Sequence, residues 1–323
     1  MLEEASKSPQ TFRRPTDPDP GYYVTHPNGQ TSFYHLDTSV DPWLPESEKP
    51  VILIQHGCAH TSEFFYHFVP RLARNYVVIR RDARGHGRSS YPKRLTPWHD
   101  QDNNEYEGGY EYTPETIVDE ILDFLNQLRI KRVHFLAEAT SGEIGTIFAA
   151  RYPHRIASLV TMSSPTMLPP QAIDLFRVGR SSWPEAVIEL GARGWGEEMA
   201  KRPGTLPVHM GKEYIEWWYQ QAERIPREGL AGYVIFLSKL TSRPFLKDVK
   251  CPMLILAPTN SAPVPVEESR WIQAQVPHSK LVLVQGPGHE IYVEKAEECL
   301  DAILDFYREI REGTGSVKGN VRL

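Results

Sequence analysis

The segment Val133–Gly145, VHFLAEATSGEIG, reads as a buried strand that turns sharply into a helix, with Ala139 at the tip of the turn. In a G-x-S-x-G pattern that tip exposes a nucleophilic serine, and small residues two before and two after let a strained backbone pass close to its neighbours. Here the small flanks are Ala137 and Ser141, followed by Gly142. The attacking position carries a methyl group, which cannot attack a carbonyl, accept a proton or hold a covalent intermediate.

Three other stations could serve the same chemistry. Gln55-His56-Gly57-Cys58 closes a buried strand, and a His-Gly turn there can bring the following backbone N–H toward a developing oxyanion. Arg81 to Ser89, RDARGHGRS, follows another strand; its glycines permit a tight return while Asp82 and Arg84 pair locally and satisfy backbone groups. Late in the chain Gly286-Pro287-Gly288-His289-Glu290 follows a strand and presents an imidazole, the side chain suited to moving a proton near neutral pH.

The elements that must hold these stations alternate between short β-branched runs and helical patterns, the pattern of a mostly parallel sheet covered on both faces. Strands are predicted at Tyr22–Thr25, Ser32–Leu36, Val51–Gln55, Tyr76–Arg80, Val133–Leu136, Ala157–Met162, Met253–Leu256 and Leu281–Val284, the first two antiparallel. Helices are predicted at Ser62–Leu72, Pro114–Leu128, Ser141–Tyr152, Val266–Gln275 and Lys295–Ile310. From Leu168 to about Arg243 helical patterns and aromatic residues replace strands, which reads as a helical cap inserted after the strand ending near Met162.

An HG after one strand, D-x-R-G-x-G-x-S after the next, a strand-turn-helix and then a GH near the end, in this order from about Tyr22 to Ile310, resemble the α/β-hydrolase fold superfamily. SSPT (Ser163–Thr166), LAPT (Leu256–Thr259) and GHEIYVEKAEEC (Gly288–Cys299) are also similar to a lineage of fungal and bacterial members known only as hydrolases. The resemblance implies an α/β fold with an inserted cap: a tail over 1–20, a core over 21–167 and 246–311, a cap over 168–245 and a second tail over 312–323. It implies His289 as general base and acid, Ala139 at the nucleophile position, and the backbone N–H groups of Cys58 and Thr140 as oxyanion donors. Thr140 also opens a helix whose dipole favours negative charge.

Two departures from the family pattern stand out. The nucleophile is missing at Ala139, and the acid is missing too. The loop after the strand Met253–Leu256 is APTNSAPVP, with Asn260 and Ser261 where a carboxylate is expected, and the alternative acid position holds Ser163 and Ser164. Asn260 or Ser261 could orient His289 without a full charge, while Glu290, adjacent in sequence, is expected to splay away.

Ala139 has three readings: an engineered Ser→Ala change, a natural residue in an enzyme that uses no covalent intermediate, and the mark of a non-catalytic ligand-binding paralogue. Ser141 is the nearest hydroxyl, but its spacing makes it the second small flank of the turn, and Glu143 is expected to be structural. Glu138 is a candidate acid or base because burial would raise its pKa, although its side chain is expected to point beneath the turn toward backbone.

The cap carries Phe176, Trp183, Trp195, Tyr214, Trp217, Trp218, Tyr219, Tyr233 and Phe236. At helical spacing at least half of these pack the cap, yet so many rings also suit a pocket for an apolar or aromatic ligand, with Gly57, Trp183, Trp217 and Trp218 as candidate substrate contacts. The insertion Tyr91–Tyr112 is long for a connection and is expected to border the entrance.

Composition sets the outer bounds. The 323 residues are 40% hydrophobic and 24% charged, ordinary for a globular protein, and a formal charge of −5 offers no basic footprint for nucleic acid and no polybasic membrane segment. Twelve histidines are scattered without metal-ligand spacing, and Cys58, Cys251 and Cys299 form no disulfide framework. With no apolar run of signal-peptide or membrane-span length, a cytoplasmic protein is expected, free of metal and cofactor, with a small-molecule substrate and a homodimer as its possible assembly. The expected activity is hydrolysis of a small, apolar or aromatic ester or lactone. The alternatives are a serine-free, cofactor-independent lyase, isomerase, C–C cleaving enzyme or oxygenase with His289 as base, and a ligand-binding protein.

Overall fold

The structure is a computed structural model and describes residues 21–45, 48–286, 288–313 and 320–322. The expected tail over 1–20 lies outside the described residues. In chain order the elements are β1 (Tyr22–Thr25), β2 (Thr31–Asp37), β3 (Val51–Gln55), α1 (Val69–Leu72), β4 (Val77–Arg81), α2 (Pro114–Gln127), β5 (Val133–Glu138), α3 (Ser141–Arg151), β6 (Ile156–Met162), α4 (Pro170–Phe176), α5 (Trp183–Ala200), α6 (Lys212–Glu223), α7 (Arg227–Lys239), β7 (Met253–Pro258), α8 (Val266–Gln275), β8 (Lys280–Val284), α9 (Ile291–Glu294), α10 (Ala296–Glu312) and β9 (Asn320–Arg322).

The strands form one sheet in the order β1-β2-β4-β3-β5-β6-β7-β8-β9. β1 pairs antiparallel with β2 and β2 with β4, and the remaining pairs are parallel. This is the α/β architecture expected from the sequence. The central runs, such as VILIQ of β3 and MLILAP of β7, are buried along almost their whole length because helices cover both faces of a parallel sheet. The loops after β3, β5, β7 and β8, which hold the candidate site residues, all leave the sheet at its carboxyl end, where open α/β sheets place their ligands.

Helix boundaries follow local chemistry. Thr113 caps α2 reciprocally with Thr116, and Pro114 sits at the first position, where its missing N–H leaves no gap. α10 ends on Gly313 in the left-handed conformation, as a C-terminal glycine allows. The predicted helix Ser62–Leu72 is instead a short 3₁₀ turn, Ser62–Phe65, followed by α1 with Pro70 in its first turn. The tail expected over 312–323 also differs, since Glu312 closes α10 and residues 320–322 add a parallel edge strand beside β8.

Helices α4 to α7 are inserted between β6 and β7. Their neck is pinned by an antiparallel bridge between Met167 and Thr241 and by the Ser242 N–H donating to the Thr166 carbonyl at 2.8 Å. α5 is broken at Gly191, whose φ of 70° only glycine adopts readily, and Arg227 of α7 donates to the Ile188 and Glu189 carbonyls freed there.

Candidate active site

Ala139 holds φ = 49°, a left-handed value that a residue with a Cβ adopts only when its surroundings impose it. The constraints are visible. The Ala139 N–H donates to the Met162 carbonyl of β6 at 2.8 Å, and the Gly57 N–H donates to Glu138 Oε2 at 2.6 Å. A Cβ at Gly57 would lie 2.8 Å from the Ala139 methyl, and one at Gly142 would lie 2.3 Å from Ser164 Oγ, so the turn depends on close backbone approach at both flanks. The strand-turn-helix is therefore the strained elbow that the sequence implies, built around a methyl group.

Beside Ala139 opens a cavity between the elbow and the inserted helices. Its floor comes from Cys58, His60, Glu138, Thr140, His289 and Glu290, and its walls include Phe176, Trp183, Trp195 and Trp218 from the inserted helices. Its apolar walls suit a small organic ligand. Cys58 is a neutral thiol, its pKa pushed up by burial and by Glu138.

His289 sits with its Nδ1 2.9 Å from Ser261 Oγ, which also accepts the Val264 N–H at 3.1 Å. Ser163, itself at φ = 53°, donates to the His289 carbonyl at 2.6 Å, and Asn260 donates to the Gly286 carbonyl at 2.7 Å. Of the two orienters considered, Ser261 touches the ring and Asn260 braces the loop. Ser164 turns back to Met162 and supplies nothing to His289. Burial lowers the His289 pKa, with Glu138 and Glu290 opposing, so the imidazole is neutral at pH 7 and its Nδ1–H can donate to Ser261. That tautomer leaves Nε2 free to take a proton.

The residues missed by sequence reasoning are His60 and the true role of Glu290. His60 Nδ1 lies 3.1 Å from Glu138 Oε2 and its Nε2 lies 3.3 Å from Glu290 Oε1. Trp218 Nε1–H donates to the same Glu290 oxygen at 3.1 Å, and the Tyr292 hydroxyl donates to the other at 3.4 Å. Glu290 does splay from His289, but into this buried network rather than toward solvent. Burial alone would depress the His60 pKa; the charges and hydrogen bonds of Glu138 and Glu290 outweigh it and lift it to about 10. Burial alone would raise Glu138, yet His60 and the Gly57 N–H hold it below the ordinary carboxylate value. The expectation that burial would raise Glu138 is therefore corrected: its partners win. A contact spanning 230 residues leaves no local signal, although the spacing H-G-x-x-H from His56 to His60 was visible.

Several other polar candidates are structural. His56 and His86, held neutral near pKa 3 by burial, accept the N–H groups of Ala83 and Ala59 and so brace the turns after β3 and β4. Asp82 accepts from Ser62 and Arg88 backbone, and Arg84 reaches Glu120 at 2.9 Å. Ser141 donates to the His56 carbonyl, away from the cavity. Glu143 is fully buried, and its pKa rises well above normal for that reason, so it is a neutral acid inside the fold.

Of the expected substrate contacts, Trp183 and Trp218 line the cavity while Gly57 and Trp217 do not. The Gly57 N–H is committed to Glu138. Trp217 lies one position along α6 from Trp218 and packs outward on Phe64, Tyr66 and Tyr214. Nor does the insertion Tyr91–Tyr112 border this cavity. Tyr112 packs on Tyr233 and Phe236 of α7, and Arg94 gathers the insertion's own carbonyls at Thr96, Pro97 and Asn103.

Comparison with known proteins agrees with this architecture. Residues 50–194 match the family described as alpha/beta hydrolase fold, and residues 239–318 match one described as TAP-like protein. The chain is 26% identical to the bifunctional esterase/perhydrolase DCH of Acinetobacter calcoaceticus, covering 88% of this chain and 99% of that protein. It is 22% identical to RutD of Agrobacterium fabrum, assigned as a carbamate hydrolase, over 81% of this chain and 94% of the relative. The enol-lactonase of Burkholderia xenovorans superposes with a TM-score of 0.71 at 18% identity, covering 89% of this chain and all of that one, with 100% coverage. Among the described residues no helix is long and apolar enough to cross a membrane. The matched family, the shared fold and the elbow raised from β5 between the β3 turn and the histidine loop lead to one conclusion: this chain is a member of the α/β-hydrolase fold superfamily.

Proposed function

We propose that this protein hydrolyses a small, apolar or aromatic ester or lactone bound beneath its helical cap, and that it does so without a covalent intermediate. The observation that carries this reading is a methyl group at the elbow tip sharing one cavity with a neutral, oriented histidine. The likeness to proteins named for ester, carbamate and lactone hydrolysis supports acyl-bond chemistry; the absent nucleophile directs that chemistry to water.

In this mechanism His289 Nε2 takes a proton from a water as the water oxygen bonds to the substrate carbonyl carbon. The carbonyl oxygen becomes an oxyanion held by the backbone N–H groups of Cys58 and Thr140, the latter opening α3. Collapse of the tetrahedral species breaks the bond to the alkoxide, which recovers the proton from His289. Trp183, Trp195 and Phe176 hold the apolar part of the substrate. Ala139 leaves room for the water where a hydroxyl would otherwise stand.

Turnover of aryl esters and lactones tests this. His289→Ala should abolish it, no acyl burst should precede steady state, and a fluorophosphonate should leave the protein unlabelled. Full turnover in His289→Ala would overturn the proposal. An inert parent that gains turnover in Ala139→Ser would assign the chain to a serine hydrolase inactivated at its nucleophile, and His289-dependent deuterium exchange of an enolisable ketone with no ester turnover would assign it to proton abstraction.

A further inference from the structure

His289 lacks the carboxylate that ordinarily stabilises an imidazolium, because Ser261 carries no charge. Among the described residues no carboxylate forms an ion pair with its ring. Taking a proton would leave a cation in a buried, largely apolar cavity, which is expensive without a compensating charge. The same cavity, however, holds Glu138, His60 and Glu290, joined in series across its floor.

We propose that Glu138, His60 and Glu290 form a buried carboxylate–imidazolium–carboxylate array with a net charge of −1, and that this array is the counter-charge for His289 during turnover. The three are positioning residues, since they act on His289 through the field and through its loop and exchange no proton with substrate. The inference rests on His289 being the base. The array is anchored at every end: Glu138 by the Gly57 N–H, and Glu290 by Trp218 and Tyr292. Glu290 follows His289 directly, so its grip also fixes the loop that carries the imidazole.

The charges around His289 are accounted for element by element. Glu138 comes from β5, His60 from the turn after β3 and Glu290 from its own loop, and these three act on its protonation, the carboxylates favouring the cation and His60 opposing it. Glu294 of α9 reaches the same loop by accepting the Gly288 N–H at 3.1 Å. The β7 loop and the cap contribute Ser261, Val264 and Trp218, none of them ionic near neutral pH.

The array predicts shifts of opposite sign. Glu290→Gln reduces the net charge of the array to zero and should lower the His289 pKa by about one pH unit, whereas His60→Gln leaves two carboxylates and should raise it by about as much. The two can be followed by NMR of ring-labelled histidine in the full chain, assigned with His289→Ala, which reads the field whether or not the protein turns over. The acid limb of kcat/KM should move with each titration. Shifts in the same direction, or no shift in Glu290→Gln, would overturn the inference; opposite shifts with turnover independent of His289 would preserve the array and remove the base. Glu290→Gln keeps an acceptor for Trp218, so it remains informative should His60→Gln fail to fold.

Discussion

Ser261 Oγ lies 2.9 Å from His289 Nδ1 and is fixed there by the Val264 N–H, so a hydroxyl occupies the place of a triad acid with geometry but no charge. A neutral orienter selects the tautomer and aims the ring, and leaves imidazolium less stabilised than a carboxylate would.

Ser261→Asp should therefore raise the pKa of His289 and move the acid limb of kcat/KM upward. The change is legible in a pH–rate profile or in the histidine titration. Ser261→Ala, which removes the orienting contact without adding charge, should lower kcat by about tenfold with little change in KM. A variant series in which Asp, Ser and Ala give the same profile would detach Ser261 from the chemistry.

Ala139→Ser should leave stability within about 0.5 kcal/mol of the parent, because the strained φ of 49° is already carried by a residue with a Cβ. A β-branched Ala139→Val should destabilise more, since branching is poorly tolerated at positive φ. The serine variant should become susceptible to a fluorophosphonate. Its ester turnover should rise about tenfold or more, and Ser261→Asp in the same chain should raise it further, because a serine nucleophile depends on its histidine being charge-stabilised. Mass spectrometry of the labelled protein and thermal melts of both variants check this.

The tryptophans divide by face. Trp217→Ala should leave KM within about twofold, because the ring packs on Phe64, Tyr66 and Tyr214 outside the cavity. Trp183, fully buried against Phe176 and Trp195, should cost about 3 to 5 kcal/mol when replaced by alanine and should weaken ligand binding as well. Trp218→Phe keeps the ring and deletes the donor to Glu290, so it should lower kcat more than it raises KM. Denaturant melts and steady-state kinetics separate these outcomes.

The elbow, the strand positions and Ser261 as a candidate orienter were legible because each rests on local pattern: an apolar run, a sharp small-residue turn, a loop placed after a particular strand. Trp217 and Trp218 could not be separated from sequence, since adjacent positions on α6 differ by about 100° around the helix and the sequence does not say which face meets the cavity. The Tyr91–Tyr112 insertion was misplaced for a similar reason. Its length marks it as unusual, but its docking depends on Tyr112 meeting Tyr233 and Phe236 on a helix 120 or so residues later. The Glu138–His60–Glu290 array was beyond reach because its members come from the end of β5, the turn after β3 and the histidine loop, and partners rather than burial decide the charge of Glu138.

Glu294 provides a separate test of the histidine loop through stability. Its side chain is almost wholly buried, it accepts the Gly288 N–H, and burial together with the nearby Glu290 lifts its pKa to about 7. Its folded pKa is thus above the unfolded value of 4.5. Between the two the folded protein keeps a proton that the unfolded chain has lost, so this group's contribution is complete at pH below 4.5 and declines as pH rises through 7. Glu294→Gln preserves an acceptor for Gly288 and removes the ionisation. Relative to the parent it should be about equally stable near pH 4 and more stable at pH 8, by about 1 to 3 kcal/mol. Urea unfolding at the two pH values measures the difference. A stability difference between variant and parent that is the same at both would show that Glu294 ionises normally in the folded protein, and the carboxyl–Gly288 contact would then be carried by an ordinary carboxylate.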